Sequence, residues 1–135
     1  MDEFLAAAIS GQTDSIVRLL TADAVSVGDG GGKVPARTTA VEGALAVARF
    51  LRGLFKPSEA KRVYVGGTAD IYAWPANSEP ALVVVANGEV IGVMCLEVGA
   101  DGVTAVRTQT NPDKLARATE LFAASDHGEP LTTIL

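Results

Sequence analysis

The sequence predicts an α+β domain, and three observations carry that prediction. Apolar residues recur at helical spacing through the N-terminal half, β-forming runs joined by turn dipeptides fill the stretch from Arg62 to Thr110, and a capped helix follows the last run. At 135 residues, 48% of them hydrophobic, the chain has material for a single core, and one domain is the natural count.

Asp2 is placed to cap a first helix carrying Phe4, Leu5, Ala8 and Ile9, which Gly11 ends. Thr13 and Asp14 open a second helix with Ile16, Val17, Leu19 and Leu20. A brief strand is expected over 24–27. The longest helix is expected over 41–55, with Val41, Leu45, Ala48, Leu51 and Phe55 as its apolar stripe, Arg49, Arg52 and Lys56 as a basic one, and Pro57 as its stop.

From Arg62 the signal becomes strand: 68–74 closed by Pro75, then 80–86 and 90–98, which are nearly continuous apolar runs. Asn87-Gly88 between them is a hairpin dipeptide suited to positive φ at both central positions, and Asp101-Gly102 reads as a second turn of that kind before a last strand over 103–110. Strands apolar on both faces need cover on both, so an extra packed element or a homodimer through the sheet is expected. In Asn111-Pro112-Asp113-Lys114-Leu115 the asparagine is an N-cap, the proline sits at N1 where no N–H is needed, and the aspartate faces the positive helix end. That helix is expected over 112–124, docking through Leu115, Ala118 and Phe122. The domain is therefore drawn over 1–124, with 125–135 as a flexible tail.

Charge narrows the function classes. The net charge is −5, and nucleic-acid binders need a basic face to neutralise phosphates, so direct DNA binding by this segment is not expected. No apolar run reaches the roughly 18 residues that span a bilayer, and the acidic Met1-Asp2-Glu3 start lacks a signal peptide's basic region, so the chain reads as cytoplasmic and free of membrane. Cys95, the single cysteine, lies in an apolar run beside Glu97 and reads as a small buried hydrophobe. No His/Cys/Asp cluster has metal-ligand spacing, and no cofactor is expected.

Two segments stand out as contact candidates. The run Asp29-Gly30-Gly31-Gly32-Lys33 is no phosphate loop, since Val27 stands where the first glycine belongs and Val34 where a Ser or Thr should follow the lysine. Successive glycines instead permit close approach by another backbone, which suggests a docking loop; a plain connection is the alternative. The second segment is Asn111-Pro112-Asp113-Lys114-Leu115, in which Lys114 is a further candidate contact.

Should the chain be an enzyme, Asp70, Tyr72, Tyr64 and Glu97 are the candidates, because isomerase or cyclase chemistry requires a carboxylate base in an apolar pocket and donors for an enolate. Asp70, Tyr72 and Trp74 share strand parity and so one face, but parity does not say which. His127 stands alone in the tail.

Asp29-Gly30-Gly31-Gly32-Lys33-Val34, then Val47-Ala48-Arg49-Phe50-Leu51-Arg52-Gly53-Leu54, then Asn111-Pro112-Asp113-Lys114-Leu115 together resemble the signatures of the SnoaL-like C-terminal extension of certain extracytoplasmic function (sigma-70 family) sigma factors. That extension belongs to the nuclear transport factor 2-like superfamily. The resemblance runs from about Phe4 to Leu121. It implies a cone of three N-terminal helices on a curved antiparallel sheet with a C-terminal helix, and a regulatory role in transcription initiation. It also implies contacts with the sigma-two and sigma-four domains of a parent sigma factor and with the RNA polymerase core, the segment 29–33 lying near the contact. The chain then reads as an excised domain or a stand-alone relative. The alternatives from other classes are a SnoaL-like polyketide cyclase or isomerase, and a small-ligand sensor using the cone.

Overall fold

The computed structural model describes residues 2–29, 40–56, 58–74, 80–125 and 127–134. Two short helices open the chain, α1 (Asp2–Ile9) and α2 (Thr13–Val17), separated by Gly11 at φ 75°. The second is shorter than its apolar spacing suggests, because Leu20 begins a strand, β1 (Leu20–Asp29). β2 is the pair Val41–Glu42, so α3 (Ala44–Phe55) starts later than expected. Its buried stripe is Val47, Ala48, Leu51 and Phe55, while Leu45 is 49% exposed.

A further helix, α4 (Glu59–Val65), is not expected from the sequence and runs past Arg62, where the signal turns to strand; the strand expected over 68–74 follows it as β3 (Ala69–Ala73). Arg62-Val63-Tyr64-Val65 has β-forming composition, but the ends decide. Ser58 Oγ accepts from Lys61 N, and Gly66 closes the helix at φ 77°. Lys61 Nζ also donates to the carbonyls of Gly53, Leu54 and Lys56 at 2.6, 2.9 and 2.6 Å, tying α4 to the C-terminal end of α3.

The remaining elements are β3 (Ala69–Ala73), β4 (Ala81–Ala86), β5 (Glu89–Gly99), β6 (Gly102–Gln109), α5 (Pro112–Ala124) and β7 (Thr132–Ile134). The strands form one curved seven-stranded sheet in the order β2-β1-β6-β5-β4-β3-β7. The α+β class is as expected. The sheet is mixed rather than antiparallel throughout, because β1 lies parallel to β6. The closing residues, expected as a tail, supply β7, which pairs antiparallel with β3.

Asn87 (φ 54°) and Gly88 (φ 78°) form the expected hairpin turn. The second turn differs, since its two residues are Ala100 and Asp101 and neither has positive φ. Gly102 (φ 137°) is needed for another reason: a Cβ there would lie 2.8 Å from the carbonyl oxygen of Leu19, which accepts from Val103 N.

The sheet has two unlike faces. On the inner face α1, α2 and α3 pack over Ala24, Ile71, Leu82, Met94, Leu96 and Val106, and Leu51, Val47 and Ile16 among them are fully buried. On the outer face α5 lays Leu115 and Phe122 over Val83, Val90, Val93, Tyr72 and Trp74. This helix is the extra cover that doubly apolar strands require. Beyond the last β5–β6 pair, Val93↔Gln109, the N–H of Val90 bonds to Thr119 Oγ1 of α5, so the helix takes over where β6 has ended.

Candidate functional site

The parallel pairing of β1 with β6 brings Asp29, the first residue of one contact segment, close to the start of the other. Its register runs from Val25↔Ala105 to Asp29↔Gln109, so β1 and β6 finish side by side at the same end of the sheet. An antiparallel pairing would have put Asp29 at the opposite end from Gln109. Asp29 opens the glycine run and Gln109 stands two residues before Asn111, so two residues eighty apart in sequence lie side by side. Gly30, Gly31, Gly32 and Lys33 lie outside the described residues, as do Pro57 and Pro75.

At the second segment the roles divide. Asn111 is 9% exposed; its Oδ1 accepts from Asp113 N at 3.1 Å, its own N–H donates to Gln109 Oε1 at 3.0 Å, and its carbonyl accepts from Lys114 N and Leu115 N. Leu115 is buried against the sheet. Asn111 and Leu115 are thus occupied in starting and anchoring α5, while Pro112, Asp113 and Lys114 face solvent. Any contact through this segment falls to those three.

The catalytic candidates do not converge. Asp70 and Tyr72 lie on the outer face, opposite Ile71, which points into the inner core. Asp70 Oδ1 accepts from Thr133 Oγ1 of β7 at 2.5 Å, a tie between strands. Asp70 stands opposite Val85 and Val85 opposite Val90, whereas Glu97 lies near the far end of β5, where it meets Arg107 across the strands at 3.5 Å with both side chains about half exposed. Tyr64 belongs to α4, and its side chain is outside what is described. Between α3 and the sheet, where a reaction cone would lie, the side chains in contact are apolar: Leu51, Ile71, Leu82, Met94, Leu96 and Val106. An open groove of about 340 Å³ between α1 and α2, lined by Glu3, Ala7, Ser10, Ser15 and Arg18, contains none of the candidates. Among the described residues no group of three His, Cys, Asp or Glu side chains is placed to hold a metal ion.

One cluster was not legible in the sequence. His127 stacks on Phe122 with ring centroids 3.9 Å apart and planes 9° from parallel, and meets Tyr72 edge-on at 4.9 Å; Trp74 meets Phe122 at 5.4 Å. These contacts join β3, α5 and the closing segment, and only the parity of Tyr72 and Trp74 hinted at them.

No protein-family profile and no curated protein matches this chain. Solved structures do. The chain is similar to the extracytoplasmic function sigma factor SigJ of Mycobacterium tuberculosis, with a TM-score of 0.64 and 26% identity over 84% of its length. It spans 41% of that sigma factor. It is also similar to NTF2-like proteins of unknown function from Cytophaga hutchinsonii (TM-score 0.52, 13% identity, 84% of this chain and 88% of that one) and Burkholderia xenovorans (0.50, 15%, 82% and 77%). The fold is that of the NTF2-like proteins, as the sequence resemblance implied. Among the described residues no helix is long and apolar enough to cross a membrane.

Proposed function

We propose that this chain is a regulatory domain of the kind fused to extracytoplasmic function sigma factors, tuning transcription initiation through protein contacts. The observation that carries the reading is the register Asp29↔Gln109, which sets the residue that opens the glycine–lysine segment beside the end of β6, two residues before Asn111. The likeness to SigJ over 84% of the chain supports the choice of partner. The net charge of −5 favours contacts with protein over contacts with promoter DNA.

In this reading the sigma-two and sigma-four domains, and through them the polymerase core, meet the surface formed by Asp29, residues 30–33 and the solvent-facing Pro112, Asp113 and Lys114. Asn111 and Leu115 act indirectly, by holding α5 in place. No cofactor is needed for such a role, and the work is done in the cytoplasm.

The test is co-purification of the chain with a sigma-two/sigma-four fragment, followed by transcription from a promoter that the fragment serves. Association that Lys33→Ala and Lys114→Ala each weaken, with the thermal midpoint unchanged, is the expected result. No association, together with promoter output indifferent to the domain, contradicts the proposal.

A further inference from the structure

The third segment of the sequence resemblance, over 47–54, is not absorbed by the sheet-end surface. It lies on α3, whose buried side is Val47, Ala48, Leu51 and Phe55. The opposite side carries Leu45, Arg49, Arg52 and Lys56 at i, i+4, i+7 and i+11, one continuous solvent-facing stripe of about 17 Å.

That stripe is at odds with the rest of the chain. Ala44–Val65 holds five of the eleven Lys and Arg residues but only one of the sixteen Asp and Glu residues, Glu59, within a protein of net charge −5. Glu59 is engaged with Arg62 at 3.6 Å. Arg52 reaches the hydroxyl of Thr13 at 3.4 Å, and among the described residues Arg49, Arg52 and Lys56 have no carboxylate partner. Like charges three and four residues apart repel one another along a helix. Lys61 adds to the same potential from behind: burial, then the neighbouring Lys56, hold its ammonium below the ordinary lysine range. Leu45, 49% exposed, sits at the head of the row.

We infer that this face of α3 docks an acidic, amphipathic segment of a partner protein, whose carboxylates meet Arg49, Arg52 and Lys56 and whose apolar side covers Leu45. Nucleic acid fits it less well. A stripe of three cations neutralises few phosphates, the chain as a whole carries a net charge of −5, and the row presents no aromatic ring on which a base could stack. The surface belongs to the helical side of the sheet, away from the α5 face, so the inference stands whether or not a sigma factor meets the sheet end.

The experiment titrates the full chain with three probes: a synthetic Glu- and Leu-rich amphipathic helical peptide, its counterpart with Lys in place of Glu, and a short DNA duplex. The acidic peptide is expected to bind, to lose about tenfold in affinity to an Arg49→Glu/Lys56→Glu variant, and to weaken with added salt. The Lys peptide should in turn bind that variant and not the parent chain. Arg18→Glu/Arg117→Glu, which reverses exposed cations elsewhere, should leave the acidic peptide's affinity in place. An acidic peptide that does not bind, or that binds both charge-reversed variants as it binds the parent, overturns the inference; so does a duplex that binds more tightly than the peptide. Unchanged melting temperatures show that the variants are folded.

Discussion

The two faces of the sheet are built from equally apolar strands and yet are covered very differently. The inner face meets three helices and contributes fully buried side chains, among them Ile71, Leu82 and Val106. The outer face meets one helix over β3, β4 and β5, while Val27 on β1 stays 45% exposed. One face holds the fold together. The other holds α5 in place and leaves the β1–β6 side in contact with water.

Substitutions sharpen that contrast in a graded way. Leu51→Ala should be the most damaging, at about 4–5 kcal/mol in denaturant unfolding, because a site closed by three helices and the sheet cannot collapse around the cavity. Phe122→Ala should cost nearer 3 kcal/mol, since the smaller outer cluster borders solvent and relaxes. It should also release the stacked His127, seen as a change in that residue's ring proton resonances. Asn111→Ala removes the N-cap of α5 and should cost about 1 kcal/mol by the same measurement. Val27→Thr should stay within about 0.5 kcal/mol of the parent. Equal costs for Leu51→Ala and Val27→Thr would break the comparison outright.

Local chemistry was legible in the sequence wherever the residues themselves dictate backbone geometry. Asn87-Gly88 gave its turn and Asn111-Pro112 its cap, and Leu115 and Phe122 were recognised as the docking side of α5. The errors arose where distant contacts overrule local preference. Leu20 fits a helix by spacing, but pairing with Val103 draws it into β1. Val63 and Val65 favour strand by type, yet Ser58, Gly66 and the Lys61 tie hold them in α4. β7 is too short to show periodicity and exists through its pairing with Ala69, Asp70 and Ile71. Of the candidate site, the two segments were visible one by one. The closeness of Asp29 to Gln109 was not, because the parallel register that pairs them is a property of the folded sheet.

The shared face of Asp70, Tyr72 and Trp74 shows the same limit. Parity grouped them correctly, but their side of the sheet is fixed by where α3 and α5 dock, which no residue of β3 encodes.

The most direct measurement is amide hydrogen exchange of the chain with and without a sigma-two/sigma-four fragment. The account predicts added protection in two places, over 29–33 and 109–115, appearing together and lost together when Lys33→Ala and Lys114→Ala are combined. Protection confined to the α1–α2 groove, or none at all in the presence of saturating fragment, would contradict it.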